Sequence, residues 1–294
     1  MGTKSTGFSM RKSGVLFCAL FAVTATLAAQ ESDSIDVSQF VAVYDYNCHT
    51  LNADGAPVTE ATRIAVQVGK KTTKSQPYNS YLGETGGKKK FESEYYDALA
   101  HVPTVWMDYP AGLCTTQEEL MPDMFEGSEK KPSIDWKLQE DTLTWNGYHC
   151  NRATALYAGV QWSVWYTQEV PSAAGPWKLQ GLPGLIVWAC DGDSVHSFAL
   201  NNLTMEEKPI YYFSSPDIYK MDNSKLVKYR NKILCNKEYA LNPTYYVPDI
   251  KSKISHSQIT VLTMMKDESG KNPLVFINNR AFLMRAHLFK PIEM

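Results

Sequence analysis

Three sets of residues in this chain have types and spacing that could do chemistry. Cys48-His49 and His149-Cys150 are adjacent pairs of soft ligands, the kind that hold Zn²⁺ or copper. Both pairs fall in strand-like runs, where neighbours point to opposite faces, so neither pair can easily chelate one ion. Cys190, Asp191 and His196 supply nucleophile and base types across a short hairpin. A thiol nucleophile also needs a positioned base and an oxyanion donor, and no motif here provides them. The run Asp191-Gly192-Asp193-Ser194 has carboxylates for calcium but lacks the spaced downstream oxygens, so it reads as a hairpin turn. GxSxG, HExxH, GxxxxGK[ST] and GxGxxG do not occur. No catalytic, cofactor or metal residue is therefore assigned.

The compartment decides how the cysteines are read. Lys4, Arg11 and Lys12 precede an apolar or small stretch over residues 14–27, which runs into Ala28-Ala29-Gln30. A basic leader, an apolar run and small residues at its end make a Sec-type signal peptide over residues 1–29. The run is short of the roughly 20 apolar residues a membrane span needs. Met10 is a second candidate start codon. Processing takes the 29 basic residues to 26 against 31 acidic ones, a balance of −5 that argues against nucleic acid as a partner. It also leaves Cys48, Cys114, Cys150, Cys190 and Cys235 in an oxidising space, where a Cys48–Cys150 or Cys150–Cys190 bridge is the expected use. An odd count leaves at least one thiol free or joined between chains, and the connectivity stays open. No CxxC occurs, which weakens redox and zinc-ribbon readings.

The elements that would position these residues are mostly strands. Aromatics at 12%, with all seven Trp beyond the leader, favour sheet over a helical bundle. Strand patterns run over 40–48, 62–68, 103–109, 134–139, 142–157, 160–169, 184–190 and 195–200. Glu140-Asp141, Ala158-Gly159, residues 171–184 and 191–194 supply turns. Connections this short join antiparallel neighbours. Helices are expected over 91–99, after Thr115 with Glu118 as a capping box, and over 226–234. Strands return over 254–262 and around Leu274 and Phe282. The Lys88–Lys90 run reads as a solvated loop. The fold class is thus mainly β within α+β, an antiparallel meander forming a curved sheet or partly open barrel with a few short helices. Residues 30–294 are expected to make a single β-rich domain, and no later segment is long and apolar enough to span a membrane.

One stretch is distinctive: Trp165-Tyr166-Thr167, Val170-Pro171, Gly175-Pro176-Trp177-Lys178, then Gly181-Leu182-Pro183-Gly184-Leu185-Ile186. This resembles the GLPGLI family of exported Bacteroidota proteins, whose hexapeptide stands here intact. Residues 65–71, Gly147-Tyr148-His149-Cys150 with Ala153-Thr154, and the Phe289–Glu293 ending resemble other parts of that family. The chain departs from it at Val160, where arginine often follows the glycine. The resemblance implies an exported envelope protein of a Gram-negative cell, periplasmic, outer membrane-associated or secreted, without an established activity. On the residues alone, Leu182–Leu185 suits a type II turn with Pro183 at i+1 and Gly184 at i+2, while Gly181 permits close backbone approach. Leu185-Ile186 then begin a buried strand.

The expected function is non-catalytic binding of an apolar or peptide-like ligand or an envelope partner, with Trp165, Tyr166 and Trp177 as the candidate surface and no cofactor. The alternatives are a cysteine- or metal-dependent hydrolase and a structural cell-surface component. N-terminal sequencing of the exported protein should begin at Ala29 or Gln30; a product that keeps Lys4, Arg11 and Lys12 would refute the leader.

Overall fold

A computed structural model describes residues 34–51, 55–86, 102–120, 123–235, 262–266, 273–277, 280–283 and 291–294. The expected leader, the helix over 91–99, the lysine run, the strand start over 254–261 and Phe289-Lys290 lie outside these residues.

The longest strand organises the rest. Strand β1 (Ser34–Leu51) has alternating Phe40, Ala42, Tyr44, Tyr46 and Cys48 buried on one face, the period that marks a strand against a core. On one side it pairs with β2 (Pro57–Gly69), from which β3 (Thr73–Pro77), β4 (Thr104–Met107), β5 (Leu113–Leu120) and β6 (Asp123–Lys130) continue outward. On its other side lies β11 (His196–Thr204), followed outward by β10 (Leu185–Asp191), β9 (Val160–Thr167), β8 (Tyr148–Tyr157) and β7 (Lys137–Trp145). Strand β12 (Pro209–Tyr211) also pairs with β1, and β13 (Tyr219–Asp222) adds to β6 in parallel. The result is an open, 13-stranded, mainly antiparallel sheet made of two meanders that meet at β1 and β11. Strands β14 (Leu262–Lys266), β15 (Pro273–Ile277) and β16 (Arg280–Leu283) form a separate antiparallel sheet.

Two helices occur among the described residues. Helix α1 (Tyr78–Glu84) covers Val41, Val43 and Ala65 with Tyr81. It is tied to the sheet by the buried Lys74, whose Nζ donates to Glu84 at 2.7 Å and lies 5.0 Å from the Trp106 ring. Helix α2 (Asn223–Leu234) packs Leu226 against Leu120 and Phe125 on the core face. It matches the helix expected over 226–234 and starts three residues earlier.

Two expectations are corrected by local structure. Thr115 and Glu118 cap no helix, because they lie within β5, paired to Ser128 and Phe125 of β6. Glu140-Asp141 is no turn, for β7 passes through it with a register irregularity between Leu138 and Thr142. The reversal falls instead at Asn146-Gly147, both at positive φ (47° and 87°), the requirement of a type I′ hairpin. Ala158-Gly159 makes the same turn where it was expected, with φ of 52° and 77°.

The GLPGLI hexapeptide begins the buried strand β10 as expected, but its glycines exchange roles. Gly181 has φ of 97°, whereas Gly184 is not at positive φ, so Leu182–Leu185 is no type II turn. Gly184 instead lies against the end of β9, where an added Cβ would stand 2.1 Å from the Thr167 carbonyl oxygen. Since that neighbour is backbone, the chain must move to accept it. Gly184→Ala is expected to lower unfolding stability by about 2–4 kcal/mol, the range of severe overpacking. Gly181→Ala, whose Cβ would meet only Trp136 Nε1 at 3.9 Å, should cost about 1–2 kcal/mol from the positive φ alone. Urea denaturation of the two variants checks the order.

Candidate functional site

Residues 170–184 cross the core face without regular structure, held by backbone bonds from the start of β10 and within the segment itself. Leu185 N donates to Val170 O at 3.1 Å, Gly181 N to Ala173 O at 2.9 Å and Ile186 N to Ala174 O at 3.2 Å. Trp177 N donates to Ser75 Oγ of β3 at 2.9 Å. Trp177 is held at φ of 54°, a left-handed conformation that costs a bulky residue about 1–2 kcal/mol. Its ring lies 5.8 Å from those of Tyr157 and Trp162 and is buried. That packing is what holds the backbone in so uncommon a state.

The next residue, Lys178, has no exposed surface, and its ammonium reaches three carboxylate oxygens. Nζ donates to Glu129 Oε1 at 2.7 Å and to Glu293 Oε1 and Oε2 at 2.9 and 3.0 Å. Burial pulls the Lys178 ammonium down, but Glu293 and Glu129 more than reverse it and hold its pKa above the ordinary lysine value. Asn223 Nδ2 donates to Glu293 Oε1 at 3.0 Å, and Asn231 Nδ2 to the Glu293 carbonyl at 2.8 Å. Arg230, only 4% exposed, stands 3.7 Å from Glu293 Oε2 and 4.0 Å from Glu118 Oε1. Burial pushes the Glu118 carboxyl up to about 7 against the pull of Arg230. Among the described residues, Thr116 Oγ1, Glu118 Oε1, Asn223 Oδ1 and both terminal nitrogens of Arg230 have no direct hydrogen-bond partner. With Glu118 protonated, the cluster holds two cations and two anions and is neutral.

Trp177 and Leu179, on either side of Lys178, line an open cleft of about 650 Å³ that includes the solvent above it. Its rim carries Lys70 and Lys71 from the β2–β3 turn and Lys131 after β6, with Asp108 beside Lys131. The turn is clamped by Asp36, whose Oδ2 accepts Lys71 N at 2.7 Å and Thr72 N at 3.1 Å. Burial would raise the Asp36 pKa, but these backbone donors, with Val37 N, outweigh it and hold the carboxyl below its usual value. Asp108 has φ of 60°, so two of the non-glycine residues at positive φ, Asp108 and Trp177, line the same cleft. The cleft presents basic and other polar groups, while Met107, Trp177 and Leu179 lie buried beneath its surface.

The residues singled out from sequence are not gathered in one place. Tyr166 and Trp177 are buried and Trp165 is half-buried, with Trp165 and Tyr166 on opposite faces of β9. The five described cysteines, Cys48, Cys114, Cys150, Cys190 and Cys235, are free thiols. The expected bridges do not form, for a geometric reason. Strand β9 separates Cys150 on β8 from Cys190 on β10, so their Cα atoms are at least roughly 10 Å apart. A disulfide needs them within about 7 Å. Cys48 on β1 is farther still from Cys150, with β11, β10 and β9 between.

The catalytic combination meets a similar obstacle. Cys190 pairs with Ser197, which puts His196 on the other face, where its Nδ1 shares a 2.8 Å hydrogen bond with Tyr46 Oη. Burial pushes the thiols of Cys48 and Cys114 up to about 12 and that of Cys235 up to about 11, the opposite of an activated nucleophile. The Asp191–Ser194 run is a tight turn, closed by Ser194 N to Asp191 O at 3.0 Å. His49 is exposed and bonded to Thr59, while Cys48 is buried, so the pair does face opposite ways. Among the described residues no three His, Cys, Asp or Glu are grouped to hold a metal. No helix among them is long and apolar enough to cross a membrane.

The residues that sequence reasoning missed are the charged ones. Lys178 sits between apolar residues of a turn-rich motif, and Glu293 stands beside Ile292. A charge embedded in an apolar motif was the available signal. Because Glu118 holds its proton to about pH 7 when folded and releases it near 4.5 when unfolded, its effect has a definite sign. Folding takes up a proton between these values, so the destabilisation by its burial grows as pH rises from about 4.5 to 7 and is complete above. Glu118→Gln should therefore improve, relative to wild type, by roughly 2–4 kcal/mol between pH 4.5 and pH 8 in urea denaturation. The reverse trend would mean that Glu118 is ionised and paired with Arg230.

Residues 157–188, from the end of β8 into β10, match a family model described as "Protein of unknown function (Porph_ging)". No curated protein matches the chain. Among solved structures, PNGF-II in its P21 crystal form is similar at 11% identity and a TM-score of 0.40, over 82% of this chain and 40% of that one. In its C2 form the figures are 11%, 0.41, 81% and 40%. The chain spans about 40% of the length of these structures.

Proposed function

We propose that this chain is an exported, non-catalytic envelope protein of the GLPGLI type that holds an extended, acidic, peptide-like segment of a partner in its cleft. The observation that carries this reading is the open cleft rimmed by Lys70, Lys71 and Lys131, the last of them paired with Asp108. Cations around an open cleft suit an extended ligand that carries carboxylates along its edge. The rigid walls agree with a binding role. Asp36 clamps the β2–β3 turn, and Asp108 and Trp177 keep uncommon backbone states beside the opening. The core face itself is filled by Trp162, Trp177, Leu182 and Ile292, which favours a bound segment over an enclosed acyl chain. The basic leader, the apolar run and the Ala28-Ala29 end support export.

A fluorescent oligoglutamate peptide with interspersed leucines provides the probe. The mature protein should bind it more tightly than a matched oligolysine peptide, with affinity falling as salt rises. Reversing two rim charges in Lys70→Glu with Lys71→Glu should weaken binding roughly tenfold or more, about 1.4 kcal/mol. Equal binding of both peptides, or an unchanged affinity in the double variant, would exclude the reading.

A further inference from the structure

Residues 291–294 are held in an unusual way. They belong to no strand or helix, yet Ile292 and Glu293 are buried at 3% and 6% exposure. The segment meets groups from several separate parts of the chain. Lys178 comes from the irregular segment, Asn223, Arg230 and Asn231 come from α2, and the Ala158 carbonyl of the β8–β9 turn accepts Met294 N at 2.9 Å. Ile292 joins the main apolar cluster. One apolar anchor, one charged anchor and a pair of main-chain bonds are how a short bound peptide is held. A sheet member would be held by a ladder. The interval 236–290 separates this segment in sequence from the helix that binds it.

The charges on the two sides are complementary. Among the described residues, without Glu293 the buried Lys178 would keep only Glu129 as an ion-pair partner, and Arg230 only Glu118. Buried cations left short of partners are costly, so the groups around Glu293 favour re-occupation by a carboxylate. The Asn223 and Asn231 amides add geometric selectivity, one reading the carboxylate and the other the main-chain carbonyl.

We propose that Lys178, Asn223, Arg230 and Asn231 form a peptide-binding site for a short apolar–acidic sequence, and that residues 291–294 are the ligand it holds in cis. The same sequence supplied on another molecule competes for the site. This inference is independent of the cleft reading.

The test uses the full chain with a protease site introduced between residues 236 and 260, cut only after folding. The fragment bearing residues 291–294 should remain with the body on size exclusion, while circular dichroism verifies that the sheet is intact. Excess hexapeptide Phe289–Met294 should displace it, and the same peptide with Glu293→Gln should be at least roughly tenfold less effective. Ile292→Ala in the peptide should weaken it similarly. Immediate separation of the cut wild-type fragment overturns the proposal. So does retention that neither the hexapeptide nor a Glu293→Gln substitution in the chain alters.

Discussion

The ammonium of Lys178 has no exposed surface, and much of the core face is arranged around that constraint. A buried cation is tolerated only where carboxylates surround it, and here Glu129 comes from β6 and Glu293 from the 291–294 segment. Glu293 in turn draws Asn223, Arg230 and Asn231, which fixes the face that α2 presents to the sheet. Lys178 can reach these partners because Trp177 holds the backbone in a left-handed state, and Trp177 keeps that state through its packing with Tyr157 and Trp162. Removing one partner from such a cluster typically costs about 3–5 kcal/mol, because the others remain buried. The cluster therefore contributes less to net stability than to specifying one arrangement of four otherwise separate segments.

The sheet was largely readable from the residues. The alternation at Phe40, Ala42, Tyr44 and Tyr46 and the Ala158-Gly159 and 191–194 turns are signals on neighbouring residues, and each strand or turn appears where its pattern placed it. Two errors came where local signals competed. Thr115 with Glu118 has the spacing of a helix cap, but the same residues alternate across β5, and pairing with β6 prevailed. Glu140-Asp141 has turn residues, but Asn146-Gly147 tolerates positive φ better and took the reversal.

The site was less readable for a different reason. The expectation of disulfides treated the cysteines as neighbours, yet strand order puts whole strands between them, and strand order is not a local property. Likewise the Cys190 and His196 combination failed on register, since one residue decides which face a side chain takes. Lys178 and Glu293 lie 115 positions apart, and no pattern of spacing links them. Their partnership follows only from the meeting of two segments on the core face. The tryptophans were noticed for their size, but their structural effect is to place their charged neighbour.

The two meanders that meet at β1 and β11 carry a kinetic consequence. Within each, strands that follow one another in sequence also pair, and apart from residues 78–103 and 168–184 the connections are short, so most of their ladders close at low entropic cost. The β1–β11 seam is different, pairing Tyr46 with Phe198 and Cys48 with His196 across most of the intervening chain. Loop closure and slow folding therefore concentrate in this ladder and in the shorter β1–β12 and β6–β13 pairings. Until the seam zips, both halves expose an unpaired edge flanked by apolar residues such as Tyr44 and Leu200, the kind of surface that aggregates. A nascent chain passes that hazard only after β11 has been made, when the first half has long been waiting for its partner strand.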